Sequence, residues 1–216
     1  MRAYVTEENV DRSGRRYHHG DLPAALIAAG LELARAGGPE AVSLREVTRS
    51  AGVTANAAYR HFADRHALVL AVAARAEQHL ALAMEDRMAL ADADADPASR
   101  AGRRLRALGL AYIGFAVEEP GWFRLAFHAG AGAGPPDTAP YRLLIAALDD
   151  LVAVGVLSAG GRPNAAWACW SAVHGFAELA TQGPLRGHPA AEVRELAEYV
   201  VDTAVHGVIA RPEPGR

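Results

Sequence analysis

The chain has 216 residues, 51% of them hydrophobic, and a formal net charge of −3 at pH 7. This length allows one large domain, or a small domain joined to a larger one, with enough apolar residues to bury a core. The slightly acidic balance argues against a protein that is basic throughout. A single cysteine excludes an intramolecular disulfide framework and a cysteine-rich zinc site.

The two ends of the chain are polar. The first residues, MRAYVTEENVDRSGRR, contain no apolar signal region, so a cytoplasmic location is expected. No stretch of about 18 uninterrupted apolar residues occurs in the chain, so no membrane span is predicted. Residues 1–16 are predicted to form a flexible arm, and residues 211–216 a short tail.

The first 65 residues contain start and stop signals for three short helices. Asp21 is a predicted N-cap, and the Gly-Gly-Pro run at 37–39 ends the first helix. The Ser-Leu-Arg-Glu sequence at 43–46 is a capping box that begins a brief second helix, and Gly52 ends it. A third helix is predicted over about 55–62.

A long fourth helix, RHALVLAVAARAEQHLALAMEDRMAL, follows its predicted N-cap, Asp64. Further helical segments are predicted at about 98–117, 120–128, 139–157, 163–182 and 190–209. No segment shows sustained β alternation. The sequence therefore predicts an all-α fold of about nine helices, with a small domain at 17–65 and a larger one at 66–210.

The second and third helices are joined by a three-residue turn that contains Gly52, which is the geometry of a helix-turn-helix. The second helix of such a pair can lie in the major groove of DNA. Helical spacing predicts an inward face, Ala55, Ala58 and Phe62, against Val47, Ala51 and Val53. The outward face and its edges hold Asn56, Ala57, Tyr59, Arg60 and His61.

The outward side chains have chemistry that suits DNA. Asparagine can read an adenine edge, and arginine, histidine and tyrosine can bind phosphates. Arg65 at the start of the fourth helix adds a second phosphate-binding group, and Arg15 and Arg16 could follow the DNA backbone or minor groove. The alternative interpretation is an ordinary three-helix domain with a solvated polar face.

Residues 17–75 resemble the DNA-binding domain of the TetR family of regulators. The segment SLREVTRSAGVTANAAYRHFADRHAL has an arginine in the second helix, a Gly-Val turn, and Tyr-x-His-Phe before an Asp-basic step. The resemblance implies contacts with bases or nearby backbone for Arg45, Thr54, Ala55 and Asn56. It implies phosphate contacts for Ser43, Tyr59, His61 and Arg65.

One segment of the larger domain, CWSAVHGFAELA at 169–180, resembles the Trp-x-x-x-His-Gly signature of one C-terminal subclass of this family. Trp170, His174 and Glu178 are spaced to share one stripe of a helix, so His174 and Glu178 could form a hydrogen bond. His174 could line an effector pocket or be a satisfied core or interface histidine, and we favour the second.

The resemblance further implies a ligand cavity between the DNA-binding domain and a dimer interface. Aromatic residues cluster in this part of the sequence, and a cavity lined by them suits an apolar or aromatic small molecule. The candidate pocket residues are Tyr112, Phe115, Trp122, Phe123, Phe127, Tyr141, Trp167, Trp170 and His174.

The last helix has two adjacent apolar stripes: Val193, Leu196, Val200 and Ala204, and Ala197, Val201, Val205 and Val208. A helix that covers only its own core needs one stripe, so the second indicates a partner. The resemblance implies that the last two helices pair with their copies in a four-helix dimer interface. Its candidate residues are Phe176, Leu179, Val193, Leu196, Val200, Val201, Ala204 and Val208. A broadly buried helix in a monomer is the alternative.

These features predict a homodimeric transcriptional regulator of double-stranded DNA that binds a palindromic operator and responds to a small effector. Repression is the usual mode in the family that it resembles. Because the fourth helix belongs to both domains, ligand binding could move the two DNA-binding domains apart. No cofactor and no metal is expected.

A small helical enzyme and an adaptor that binds only protein are the alternatives. Cys169 and His174 are five residues apart on a helix, so they face directions about 140° apart. The histidines show no H-E-x-x-H spacing or similar ligand pattern. An adaptor would not need the outward polar side chains of the third helix.

Overall fold

The structure is a computed structural model that describes residues 21–91, 96–128 and 137–210. The predicted all-α fold is confirmed, since the described residues form nine α-helices, one short 3-10 helix and no strand. In chain order these are α1 (Leu22–Gly37), the 3-10 helix (Pro39–Ala41), α2 (Leu44–Ala51), α3 (Ala55–Tyr59), α4 (Arg65–Leu90), α5 (Pro97–Glu118), α6 (Pro120–His128), α7 (Ala139–Ala153), α8 (Arg162–Thr181) and α9 (Ala190–Ile209). The predicted arm, with Arg15 and Arg16, and the predicted tail lie outside the described residues.

Side-chain caps begin the N-terminal helices where the sequence predicts them. The Asp21 carboxylate accepts a hydrogen bond from the backbone N–H of Ala24 at 3.1 Å, and Ser43 Oγ accepts from that of Glu46 at 3.2 Å. Each such bond stabilises its helix by about 1 kcal/mol. The reciprocal half of the capping box differs, because the Glu46 carboxylate accepts from Arg49 Nε at 2.9 Å.

α3 is shorter than predicted, ending at Tyr59 and not at 62. The N–H groups of His61 and Phe62 both donate to the carbonyl of Ala58, each at 2.9 Å. This shared acceptor tightens the chain into a turn, and the turn directs the Phe62 ring into the core. Thr54 occupies the N-cap position of α3 but makes no side-chain capping hydrogen bond.

α7 also ends early, at Ala153 where the sequence predicts 157. Gly155 adopts φ of 73°, in the left-handed region, and the N–H groups of Val156 and Leu157 both donate to the carbonyl of Leu151. The chain therefore folds back on the helix end and buries Leu157.

Two hydrophobic clusters form the core. The N-terminal cluster packs α1, α2, α3 and the first half of α4, and its fully buried side chains include Leu26 and Val72. The C-terminal cluster packs the rest of α4 with α5, α7, α8 and α9, and includes Leu80 and Leu148. Burial of each such side chain contributes about 1.5–3 kcal/mol. α4 and α6 are the helices that contribute buried residues to both clusters.

The 26 residues of α4 form a rod about 39 Å long. Its first half buries Leu68 and Val72 in the N-terminal cluster, and its second half buries Leu80 and Met84 in the C-terminal cluster. By length and composition alone α4 could cross a membrane. This length and composition are weak evidence for a membrane span, because the core helix of a soluble protein can have the same properties. α4 also buries these side chains against other helices.

Candidate nucleic-acid interface and effector site

The helix-turn-helix has an apolar interior that fixes how α3 lies against α2. Ala51, Ala58 and Phe62 are buried in the N-terminal cluster. Thr48 is also buried, and its hydroxyl donates to a backbone carbonyl one turn earlier at 2.7 Å, so its burial leaves no unsatisfied group. Gly52 joins the two helices with φ of 68°, in the left-handed region.

Most of the predicted DNA-contacting side chains are exposed on α2, α3 and the following turn. The exposed members are Arg45, Thr54, Ala55, Asn56, Tyr59, Arg60 and His61, with Ser43 and Ala57 half-buried. We call the polar members Arg45, Thr54, Asn56, Tyr59, Arg60 and His61 the recognition surface. Tyr59 is 55% exposed, so its ring contributes little to the core and is open to a ligand.

The prediction that Ala55 packs inward is wrong, because Ala55 is exposed. The predicted inward face assumed a helix that continues to Phe62. Since α3 ends at Tyr59, Phe62 reaches the core from a turn, and it does not share a helix face with Ala55.

Arg65 is exposed, but its guanidinium already binds within the protein. Nε donates to the carbonyl of Val42 and Nη2 donates to the carbonyl of Pro39, each at 2.8 Å. These bonds tie the start of α4 to the 3-10 helix and the residue after it. Arg65 therefore orients the segment in front of α2, in addition to presenting a positive charge beside it.

Six rings from α5, α6, α7 and α8 pack together in the larger domain. We call them the aromatic cluster: Tyr112, Phe123, Phe127, Tyr141, Trp170 and His174. The His174 imidazole stacks on the Trp170 indole, with centroids 5.7 Å apart and planes at 15°. Phe127 meets His174 edge to face at 5.1 Å. Three of the predicted pocket aromatics, Phe123, Phe127 and Trp170, thus surround Tyr112 and His174, and Tyr141 packs on Trp170.

One hydrogen-bond partner of His174 is Tyr112, whose hydroxyl lies 2.9 Å from Nδ1. The pairing with Glu178 stays a prediction, and the Glu178 carboxylate accepts from Gln182 Nε2 at 2.6 Å. Tyr112 is 62 residues away in the chain, so the stripe on one helix could not reveal it.

Burial raises the pKa of two acidic groups in this region, Tyr112 and Glu77. Burial, followed by the carboxylates of Glu178 and Glu77, raises the pKa of Tyr112 well above its usual value. The phenol therefore stays protonated and can donate to His174. Burial also raises the pKa of half-buried Glu77, against the opposing charge of Arg142.

The space next to the aromatic cluster is nearly filled. It is lined by side chains of α4, α5, α7, α8 and α9, including Tyr112 and Trp170, and its volume is about 20 Å³. This is room for about one water molecule. A drug-sized ligand needs a pocket of roughly 300–1,000 Å³, so it would have to spread these helices.

Three predicted pocket residues lie outside the aromatic cluster. Phe115 and Trp122 pack on each other at 6.3 Å, and Trp122 stacks on His79 of α4 at 5.0 Å. Trp167 is 47% exposed on the outer side of α8. Trp167 was predicted to line an internal pocket, but it does not line the space next to the aromatic cluster.

The two apolar stripes of α9 have different surroundings. Val193, Ala197, Val201, Val205 and Val208 are buried against their own chain, whereas Leu196, Val200 and Ala204 remain accessible. Of the candidate interface residues on α8, Phe176 is buried and Leu179 is exposed. Four candidates, Phe176, Val193, Val201 and Val208, are therefore core residues of the single chain.

A groove of about 1050 Å³ runs along the accessible side of α8 and α9. Small side chains form its walls, among them Ala168, Ala172 and Gly207, and Tyr199 stands beside them 72% exposed. The predicted interface set lacks these residues. Ala165, Ala168 and Ala172 are three and four residues apart, so they share one face of α8. This row of small residues is the signal in the sequence that could have indicated the groove.

Cys169 is buried, and burial raises the pKa of its thiol to about 11. The thiol is therefore protonated at neutral pH and is a poor nucleophile. Among the residues that the structure describes, no three His, Cys, Asp or Glu side chains are grouped so that they could hold a metal ion.

The fold and these surfaces define a class of protein: a helix-turn-helix domain joined by one long helix to a larger helical domain. Residues 26–72 match the family described as bacterial regulatory proteins, tetR family, and residues 105–204 match the tetracyclin repressor-like C-terminal domain. The chain belongs to the TetR family of transcriptional regulators. No curated protein matches it in sequence.

Solved structures share this fold. A Rhodococcus sp. RHA1 protein of unknown function is 29% identical, with 90% of this chain and 99% of that chain covered and a TM-score of 0.72. A TetR variant of Acinetobacter baumannii AYE in complex with minocycline is 17% identical (85% and 94% covered, TM-score 0.58). FadR of Bacillus subtilis in complex with stearoyl-CoA is 11% identical (86% and 98% covered, TM-score 0.61).

Proposed function

We propose that this chain is a cytoplasmic, homodimeric repressor that binds a palindromic operator and is released by a small apolar or aromatic effector. The observation that supports it best is the recognition surface, a set of exposed polar side chains on a helix-turn-helix whose apolar side chains are buried in the N-terminal cluster. An exposed asparagine, tyrosine, histidine and two arginines on such a motif match the groups that contact DNA.

Within this surface we assign different roles to different positions. Arg45, Thr54 and Asn56 contact base edges or the adjacent backbone, because they lie at the start of α2 and α3. Ser43, Tyr59, Arg60, His61 and Arg65 contact phosphates, and the alanines at 55 and 57 let α3 approach the groove closely. Few polar groups face the bases, so DNA shape and the spacing of two half-sites supply much of the specificity.

The aromatic cluster is the proposed effector site. Its rings supply apolar contact area, and the Tyr112–His174 pair supplies one polar group that a ligand could engage. Solved relatives of the same fold are complexes with minocycline and with stearoyl-CoA. Because the space beside the cluster is only about 20 Å³, an effector must move helices in order to enter, and this couples binding to a change of shape.

The groove on α8 and α9 is the proposed dimer interface, and its occupant is a second copy of the chain. A twofold dimer built there presents two recognition surfaces to successive major grooves about 34 Å apart. The exposed apolar residues Leu179, Leu196 and Tyr199 lie along this side, which suits burial against an identical surface.

An enzyme and a protein-only adaptor are less well supported. The best nucleophile for an enzyme, Cys169, is buried and protonated at neutral pH. An adaptor that binds only protein would not need the exposed polar side chains of the recognition surface.

Selection of bound duplexes from a random DNA pool, followed by gel shifts at stated salt concentrations, tests this function. Wild-type protein should enrich palindromes and bind them less tightly as salt rises. Tyr59→Ala should weaken binding about tenfold, since it removes a phosphate contact and a ring at the surface. Leu82→Ala is the matched control, because Leu82 on α4 is also 55% exposed and lies outside the surface. Failure to enrich any palindrome, or equal binding by both variants, would contradict the proposal.

A further inference from the structure

The aromatic cluster has a buried part and an accessible part. The rings of Tyr112 and Phe123 are buried. The other four rings are half-buried, so each keeps part of its surface open to solvent, and we call them the rim: Phe127, Tyr141, Trp170 and His174. A ligand can therefore contact the rim first, and only deeper entry requires the helices to spread.

A carboxylate lies on the inward side of α4, where the apolar pattern of the helix predicts a hydrophobic residue. Glu77 is three residues before Leu80 and seven before Met84, so it shares a helix face with these two buried side chains. Glu77 itself is half-buried, whereas Glu85 and Asp86 of the same helix are exposed. Its position therefore differs from that of an ordinary surface glutamate.

A second half-buried carboxylate comes from α8. Glu178 lies one turn after His174 and two turns after Trp170, on the same stripe of the helix. The negative charges of Glu178 and Glu77 both act on the Tyr112 phenol. The two carboxylates are therefore close enough to the aromatic cluster to affect it, one from α4 and one from α8.

Among the residues that the structure describes, neither carboxylate forms an ion pair. Glu178 accepts its hydrogen bond from the neutral amide of Gln182. The guanidinium of Arg142 acts on Glu77 from a distance, but it binds the carboxylate of Asp137 at 2.7 Å. The positive charge of Arg142 is therefore already matched by an aspartate.

A second guanidinium near the rim is matched in the same way. Arg162 acts on Tyr141, and it donates to both carboxylate oxygens of Asp149, at 2.5 Å and 3.1 Å. Each of the two arginines thus has its own aspartate. The carboxylates of Glu77 and Glu178 are left as an excess of negative charge beside the aromatic rings.

The charge of Glu77 costs stability in the absence of a ligand. Burial raises the pKa of this carboxyl in the folded chain, so its ionisation favours the unfolded chain at neutral pH. A glutamine would fill the same volume without this cost. A positively charged ligand beside the carboxylate would offset the cost, because it supplies the missing partner.

We propose that the effector is an organic cation, an amine or quaternary ammonium that also carries an aromatic or other apolar group. Its charge lies between the carboxylates of Glu77 and Glu178, and its apolar group lies against the rim. Aromatic faces attract cations, so the rings and the carboxylates favour the same ligand. This inference rests on the proposed effector site, and it adds the charge of the ligand, which apolar contact alone does not specify.

Isothermal titration calorimetry of the full chain tests the proposal with two pairs of probes that are similar in shape and different in charge. Phenethylammonium is compared with neutral phenethyl alcohol, and tetraphenylphosphonium with the anion tetraphenylborate. At least one cation should bind about tenfold or more tightly than its partner. In gel shifts, the cation that binds should lower operator affinity about tenfold.

Glutamine variants locate the site. Glu77→Gln and Glu178→Gln keep the size of each side chain and remove its charge, so each should weaken binding of the cation about tenfold and leave binding of phenethyl alcohol unchanged. Glu85→Gln is the matched control, since Glu85 is an exposed glutamate of the same helix, and it should change neither affinity.

Thermal unfolding without ligand adds a readout that distinguishes a binding role from a structural one. Glu77→Gln should raise the Tm, because it removes a half-buried charge that has no ion-pair partner among the described residues. A lower Tm for this variant would show that the carboxylate is kept for stability, and this would overturn its role as a ligand group.

The outcomes separate this inference from the proposed function, because calorimetry requires no DNA. If neither cation binds more tightly than its partner, or if both glutamine variants bind the cation as wild type does, the inference is overturned and operator binding is unaffected. A cation that binds but leaves operator affinity unchanged is not the effector. Cation binding by a wild type that enriches no operator would overturn the proposed function and leave the ligand site.

Discussion

Cys169 is surrounded by the apolar side chains of the C-terminal cluster, and this burial gives it a pH dependence that can be measured. The unfolded thiol loses its proton near the ordinary pKa of 9.0, and the folded thiol keeps it until about 11. Between these values the folded state binds more protons than the unfolded state, so stability falls as pH rises. A shift of this size corresponds to about 2–3 kcal/mol.

Urea unfolding of wild type and Cys169→Ala at pH 8 and pH 11 measures this effect. Other groups titrate in both proteins, so the difference between the two isolates the thiol. We expect the free energy of unfolding to fall more in wild type than in the variant. A difference that stays constant across this range would show that the thiol is not shielded.

At the scale of single residues, local spacing predicted the exposure of most polar side chains on α3 and the turn after it. Asn56, Tyr59 and Arg60 are exposed as predicted. Ala55 was assigned to the wrong side although Ala58, three residues later in the same helix, is buried as predicted, because Ala55 is the first residue of α3. The contact of His174 with Tyr112 was not predicted because Tyr112 lies on another helix, and periodicity within one segment has no information about such contacts.

At the scale of elements, Gly52 decides how α2 and α3 meet. Its φ of 68° is costly for any residue with a Cβ, and nothing lies within 4 Å of that position. Gly52→Ala should therefore lower the free energy of unfolding by about 1–2 kcal/mol through backbone strain alone. Gly114→Ala, in an open helical position, should raise it by about 0.5–1 kcal/mol. Denaturant titration that gives both variants the same sign would contradict this explanation.

Helix starts were predictable because capping is local. Asp21, Ser43 and Asp64 each accept a hydrogen bond from an N–H group three residues later. Helix ends were less predictable. α7 stops where Gly155 reverses the chain and buries Leu157, and that reversal is favourable only because the C-terminal cluster is present to receive the side chain.

At the scale of the whole molecule, composition and periodicity predicted a small and a larger helical part that share α4, but not the second connection between them. α4 was identified as shared because its apolar pattern runs unbroken from Arg65 to Leu90. The sequence did not predict that α6 contributes to both clusters, because Trp122 was assigned only to the aromatic pocket. The hydrogen bond from Trp122 Nε1 to the carbonyl of Leu31 spans 91 positions, and tertiary packing alone creates it.

The groove on α8 and α9 gives the last prediction, which concerns assembly. Ala168 lies in this groove and is exposed in the single chain, so Ala168→Arg should fold normally, with its guanidinium in water. In a dimer the same charge would be buried against a second copy without a partner, which costs several kcal/mol. Sedimentation analysis should therefore find wild type as a dimer and the variant as a monomer.

The loss of the dimer should also weaken binding to the palindrome by about a hundredfold or more, because each half-site is then bound independently. Ala146→Arg is the matched control, since Ala146 is an exposed alanine of α7 outside the groove, and it should remain dimeric. A dimeric Ala168→Arg would place the interface elsewhere on the molecule. A monomeric variant that still binds the palindrome as tightly as wild type would mean that the two half-sites are not bound by one dimer.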